Sequence, residues 1–256
     1  MEKAYKLLAL KLGISNNKAK ELIDSGLVSV AGKRLEVARK DLPLNTEFKV
    51  IEEKLEVLFK DSKVLAINKP VGVESYSLQD KFPDYKLLHR LDKDTSGVLL
   101  LSSDPDFIKR AKEEFKEERV TKNYLALVDG NLKEALEVTK PIGTKKGFKA
   151  QSFIKSHTSP KDLEYKSATS KFTPLQFLDN KTLVLANILT GRTHQIRVHL
   201  ASIKHPIVGD IIYGKTKSNR LKLHAFSIKL LDYEFKAPIN LQAEFDKEAM
   251  DSSKLL

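Results

Sequence analysis

The chain has 256 residues, 45 of them Lys or Arg and 34 Asp or Glu, for a formal net charge of +11. Its 41% hydrophobic content supports a globular core, and no apolar run reaches the roughly 18 residues that a membrane-spanning helix needs. With no cysteine, disulfides, thiolate metal sites and cysteine nucleophiles are excluded, leaving carboxylate, hydroxyl, lysine or histidine chemistry.

Lysines at 3, 6 and 11 mark the first segment, and Lys11 interrupts the one candidate signal-peptide core, so a soluble, cytoplasmic protein with no membrane partner is expected. The positive excess is spread along the chain rather than held in a tail. Residues 1–51 carry ten Lys/Arg against six Asp/Glu, and the remainder of the excess lies further on. Such a distribution suits a long polyanion, because each cation placed beside a phosphate releases condensed counterions. Nucleic acid is therefore the leading partner class.

Ala4, Leu7, Leu8 and Leu12 fall at helical spacing, and Gly13 ends that run. Ser15 or Asn16 can cap a second helix reaching Ser25, with Gly26 as its stop. Leu27 to Val30 then reads as a strand, Ala31-Gly32-Lys33 as a turn, and Arg34 to Val37 as the return. In this helix-helix-hairpin, Lys18, Lys20, Lys33 and Arg34, with Arg39 and Lys40, are expected to share one basic face.

Residues 52–60 read as a connection, after which Val64 to Ile67, closed by Pro70 and Gly72, reads as a buried strand opening a second domain. Val98 to Leu101 is a fully buried strand. Ser103 or Asp104 before Pro105 opens an amphipathic helix whose inner stripe is Phe107, Ala111 and Phe115. Further strands are expected at 124–128 and 183–188, and residues 131–170 read as loops and edge strands.

Two segments carry chemistry. In HRLDKDTSGVLLL, His89, Arg90, Asp92, Asp94, Thr95 and Ser96 crowd the entrance of a buried strand. Read alone, Asp94 to Gly97 makes an ordinary side-chain-to-backbone turn; the alternative is a site opening there, since so many polar groups are costly to bury. In TGRTHQIRVHLA, Thr193 is expected to cap a helix with inner stripe Ile196, Leu200 and Ile203. Arg197 faces away from that stripe, where an arginine pairs bidentately with a carboxylate from another segment. His194 and His199 lie five apart, a poor spacing for two metal ligands on one helix face, so no metal is expected.

Taken together, INKPVGV (67–73), HRLDKDTSGVLLLS (89–102), KNYLALVDG (122–130), TGRTHQIRVHLA (190–201), HPIVGDIIYG (205–214) and LHAF (223–226) resemble, in order, the RluA-type pseudouridine synthases. Residues 1–51, through NNKAKELIDSGLVSVAGKR, resemble the S-four-like RNA-binding domain that is a frequent attachment in that family. The resemblance implies an α+β protein: the small RNA-binding domain at 1–51, a linker at 52–60, a synthase domain at 61–246 and a tail at 247–256. The synthase domain would be a mixed, largely antiparallel sheet crossed by an active-site cleft.

Carried over by motif, the resemblance makes Asp92 the catalytic aspartate, Tyr124 the active-site tyrosine, Arg197 the arginine paired with the aspartate, and Arg90 the residue that helps displace the target base. The implied activity is isomerisation of uridine to pseudouridine in RNA by a monomer. Large-subunit (23S) ribosomal RNA is the first choice of substrate and transfer RNA the second. A non-catalytic ribosome-assembly factor that keeps the fold as an RNA clamp is the rival. The reaction involves no net redox change and consumes no phosphate, so no cofactor is implied, and neither G-x-G-x-x-G nor G-x-x-x-x-G-K-[ST] occurs. Two departures stand out. Ala237-Pro238 replaces a His-Pro pair, and Glu74-Ser75-Tyr76 follows NKPVGV where small residues or histidine are usual, so the pocket rim is expected to differ.

Overall fold

The computed structural model describes residues 1–24, 27–50, 55–145, 147 and 150–239, with the backbone alone at residue 34. It divides into two compact units, Met1–Lys54 and Leu55–Leu256.

In the first unit, helix Ala4–Leu12 ends on Gly13, whose left-handed φ of 65° is open to glycine without strain. Helix Asn16–Asp24 follows, and the Ser15 hydroxyl accepts the Lys18 backbone N–H at 3.2 Å, a cap visible in the sequence. The expected stop at Ser25 and Gly26 lies outside the described residues. Strand Val28–Val30 pairs with Lys33–Arg34, as the hairpin pattern predicts, and on its other side with Phe48–Val50. The return strand is shorter than the expected 34–37. Leu7, Leu8, Ala19, Ile23, Val28 and Leu35 close a core of their own.

The second unit is built on a large mixed sheet. Its main path runs Leu136–Val138, Ser170–Leu178, Lys181–Ile188, Thr121–Asp129, Leu223–Leu230, Ser96–Ser102, Leu65–Lys69 and Glu56–Lys60. Tyr233–Lys236 and Lys86–Leu87 pair beside it. Every pairing is antiparallel except that of Leu223–Leu230 with Ser96–Ser102. Residues 56–60, read from the sequence as part of a linker, are thus an edge strand; its alternation is blunted because all five residues are exposed or half-exposed. Positions 52–54 of that linker and the tail 247–256 lie outside the described residues. The stretch 131–170 supplies Leu136–Val138 and a separate three-stranded sheet of Gln151–Ile154, Ile142–Lys145 and Tyr165–Lys166.

Ser96–Ser102 is buried throughout because both faces are covered. Val98 and Leu100 pack with Phe107 and Ala111 of helix Pro105–Lys116, while Leu99 and Leu101 join the larger core with Ile67, Leu91 and Tyr124. Asp104 caps that helix through its carboxylate, which accepts the Phe107 N–H at 2.7 Å, and Pro105 occupies the first turn. At the parallel pairing, Gly97 has φ 114°, and a Cβ there would stand 2.1 Å from the Ala225 carbonyl oxygen. Only glycine lets the two strands approach, and that approach brings the segment before Gly97 against the strand Leu223–Leu230.

Candidate active site

The turn before Ser96–Ser102 is closed by backbone rather than by the side-chain bonds read from the sequence, and a cavity opens beside it. The Thr95 N–H donates to the Asp92 carbonyl at 3.0 Å, which turns the chain into the strand and leaves the Asp92 side chain 31% exposed over a cavity. That cavity, of about 90 Å³, is lined by Arg90, Asp92, Tyr124, Arg192, His194 and Arg197 among others. Segments more than a hundred residues apart are therefore brought together by the sheet order.

Each side chain is set by a local device. Behind Asp92, the Lys69 ammonium, fully buried, donates to the Pro70, Val73 and Lys93 carbonyls, and the Gly72 N–H donates to Lys93 as well. In front of it, the buried Ser75 hydroxyl donates to the Leu91 carbonyl at 2.9 Å and accepts the Leu91 N–H at 3.1 Å. Asp92 is thus pinned from both sides. Tyr124 sits where the pairing of Thr121–Asp129 with Leu223–Leu230 shifts register between Asn123 and Tyr124. Such an irregularity re-aims a side chain, and here the aimed ring lines the cavity. Burial, then the charge of Asp92, pushes the Tyr124 phenol up from its ordinary value.

Helix Gln195–Ser202 presents Arg197. His194, with φ 54°, occupies its N-cap without a side-chain cap, so the expected cap at Thr193 is not found; the Thr193 carbonyl instead accepts the Ser152 hydroxyl at 2.7 Å. Nor is the helix one-faced, since Gln195 through Leu200 are all buried. Its polar residues are satisfied inward. The Gln195 side chain accepts from the Thr190 hydroxyl and the Arg192 N–H and donates to the Thr169 carbonyl and Ser170 hydroxyl. The His199 nitrogens meet the Ser170 hydroxyl at 2.9 Å and the Lys140 carbonyl at 3.0 Å.

Arg197 stands within ion-pair range of Asp92 and has a second, closer carboxylate partner. Arg197, 3% exposed, binds Asp210 bidentately, Nε to Oδ2 at 2.7 Å and Nη2 to Oδ1 at 2.8 Å, whereas Nη1 stands 3.7 Å from Asp92 Oδ2. Asp92 is held at ion-pair range, and the approaches of both Arg197 and His194 are to its Oδ2. Burial opposes the Asp210 charge, but the hydrogen bonds and charge of Arg197, with the Ile212 and Tyr213 N–H groups, outweigh it and keep the carboxyl below its ordinary value. His194 completes the set: Nδ1 lies 2.9 Å from the Tyr213 hydroxyl and Nε2 3.8 Å from Asp92 Oδ2. Burial lowers its imidazole from the ordinary value despite the opposing Asp92 charge.

The sequence does not single out Asp210 or Tyr213, and it raises His194 only as a metal ligand, to be set aside. Asp210 carried a signal, a lone carboxylate among the apolar residues of HPIVGDIIYG, but nothing local said which cation it meets. Arg90, exposed at the cavity mouth, donates to the Tyr76 hydroxyl at 3.3 Å. Among the described residues no group of three His, Cys, Asp or Glu is arranged to hold a metal ion.

Of the residues expected on one basic face, Lys18 and Lys20 lie on the helix Asn16–Asp24, and Lys33, Arg39 and Lys40 are exposed. Lys18 and Lys20, two apart on a helix, point to different sides. Lys18 pairs with Glu21 at 3.4 Å, and Lys20 sits 4.4 Å over the Tyr5 ring. Lys33 is exposed beyond the hairpin turn, and the Arg34 side chain lies outside the described residues.

Comparison with known proteins agrees with this geometry. Residues 63–202 match the family model of RNA pseudouridylate synthases. An RNA pseudouridine synthase of Helicobacter pylori is 52% identical over 241 residues, covering 93% of this chain and 97% of its own. A ribosomal large subunit pseudouridine synthase C of Buchnera aphidicola is 32% identical over 82% of this chain and 72% of its own. A tRNA pseudouridine synthase C of Haemophilus ducreyi is 28% identical over 76% of this chain and 92% of its own. The structure of human RNA pseudouridylate synthase domain containing 1 superimposes with TM-score 0.68 at 29% identity, covering 79% of this chain and 93% of that one.

The chain belongs to the RNA pseudouridine synthase family and is an isomerase acting on uridine in RNA. Within that family it is of the RluA type.

Proposed function

We propose that the substrate is large-subunit ribosomal RNA, with the target uridine entering the cavity at Asp92. The observation that carries this site is the partly exposed Asp92 carboxylate facing Arg197 at 3.7 Å, beside Tyr124 and with Arg90 at the mouth. The ribosomal choice is supported by the higher identity to a relative named for the large subunit than to one named for transfer RNA. Basic residues of the first unit, Lys18, Lys20, Lys33 and Arg34, contribute phosphate contacts outside the pocket.

The isomerisation breaks the bond from uracil N1 to the ribose, turns the base, and joins C5 to the same sugar carbon while C5 loses a proton and N1 gains one. Asp92 meets the ribose as nucleophile or base, and the opposed charge of Arg197 favours its ionised form. Since Arg197 is already bound to Asp210, it stabilises that charge without sequestering the carboxylate. Tyr124 offers its ring to the detached base. Because its phenol stays protonated, the hydroxyl accepts the C5 proton only as it yields its own to solvent, which returns a proton to N1. His194 lines one flank of the pocket.

The test is tritium release from RNA labelled at uracil C5, with unmodified large-subunit ribosomal RNA and transfer RNA offered separately. Release from the ribosomal RNA alone, lost in Asp92→Ala with binding retained, is expected. Release only from transfer RNA would overturn the substrate, and full activity in Asp92→Ala would overturn the site.

A further inference from the structure

The segment Glu74-Ser75-Tyr76, which departs from the family pattern, forms the start of a short helix, Ser75–Gln79, that is tied down at both ends. Ser75, 3% exposed, is bonded reciprocally to Leu91, and the Gln79 side chain accepts the Leu87 N–H at 3.1 Å. On this fixed mount Tyr76 is 57% exposed. The Arg90 guanidinium lies 5.5 Å over the ring and donates to its hydroxyl at 3.3 Å. Arg90 also lines the cavity, two residues before Asp92. The pair is therefore a planar, cationic, exposed surface at the mouth of a pocket that takes a uridine.

A uridine in folded RNA must leave its stack before the pocket can act on it, which deprives the neighbouring base of its partner. Unstacked bases are held by proteins on aromatic rings and arginine planes, because every base has a π-face. We propose that Tyr76, with Arg90, is a stacking platform for the nucleobase next to the target uridine, and so a residue that sets which RNA context this enzyme accepts. This rests on the reading that the target enters at Asp92. The charge of Arg90 suits the polyanion that carries the base, and the Ser75 anchor keeps the ring at a fixed distance from Asp92.

The chain contains no tryptophan, so Tyr76→Trp places a single indole at the platform. Its emission is followed while unmodified large-subunit ribosomal RNA or transfer RNA is added, with binding measured separately by filter retention. Saturable quenching by the RNA that is bound and turned over is expected. In tritium-release kinetics, Tyr76→Ala and Tyr76→Leu should raise KM about tenfold, in the range of one lost base–aromatic stack, while Tyr76→Phe, which keeps the ring but loses the hydroxyl that meets Arg90, should raise it less. Leucine separates stacking from mere apolar contact. Retention of RNA without quenching, absence of both, or a wild-type KM in Tyr76→Ala overturns the platform. Activity retained in Asp92→Ala instead overturns the entry at Asp92, while quenching would still report stacking at Tyr76.

Discussion

The Arg197 guanidinium lies in line with the Asp210 carboxylate, two nitrogens on two oxygens at 2.7 and 2.8 Å, while its remaining nitrogen stands 3.7 Å from Asp92. Arg197 and Asp210 are both buried, the Asp210 side chain completely. Removing one partner leaves an uncompensated interior charge. Asp210→Ala should therefore destabilise the protein by about 3–5 kcal/mol in urea unfolding. Replacing both, as Arg197→Met with Asp210→Leu, should recover most of that loss without recovering turnover. Recovered turnover would show that Arg197 serves the fold alone.

The same pair sets an acid limb. Asp210 has a lower pKa folded than unfolded, so on acidification the unfolded chain takes up the proton first. The stabilisation is complete above the unfolded value of about 3.9 and is lost as pH falls through the folded one. Urea midpoints measured from about pH 6 downward should fall more steeply below about pH 4 in the wild type than in Asp210→Asn. Parallel curves would contradict this.

Tyr124, Tyr213 and Tyr233 are all raised, Tyr124 by burial and then by Asp92. In an absorbance titration of the seven tyrosines, Tyr124→Phe should leave the portion below about pH 10 unchanged and remove amplitude only above it. Loss of an early phase would mean that the phenol ionises readily and can act as a free base.

Gly97 and Gly13 test what close approach costs. Both have positive φ, but a Cβ at Gly97 meets the Ala225 backbone whereas at Gly13 nothing lies within 4 Å. Gly13→Ala should cost about 1–2 kcal/mol, the left-handed penalty alone. Gly97→Ala must in addition separate the parallel strands, so a far larger drop in thermal midpoint, with loss of turnover, is expected. Equal effects in thermal melts would show that the strand pairing is not under that constraint.

Much of this was legible locally. The buried runs at 64–67 and 98–101, the Asp104-Pro105 helix start and the hairpin after Leu27 are read from periodicity and caps, which depend only on near neighbours. The motifs that resemble RluA-type synthases supplied Asp92, Tyr124 and Arg197, and the fold sets all three around one cavity. The edge strand Glu56–Lys60 escaped notice because an exposed strand has little apolar alternation to betray it.

The sequence by itself determined most of the elements, the absence of cysteine chemistry, the family, and the residue types available for the reaction. Only the tertiary structure decided partners. Arg197 binds Asp210 while staying within ion-pair range of Asp92, and Ser75 finds Leu91; His194 lies between Tyr213 and Asp92, and Tyr76 is left exposed beneath Arg90. The physical reason is common to all four. A local pattern reports which side chains need a partner, but the choice among partners is made by strand order and by close approaches such as that at Gly97. Those join segments whose separation along the chain carries no local signal.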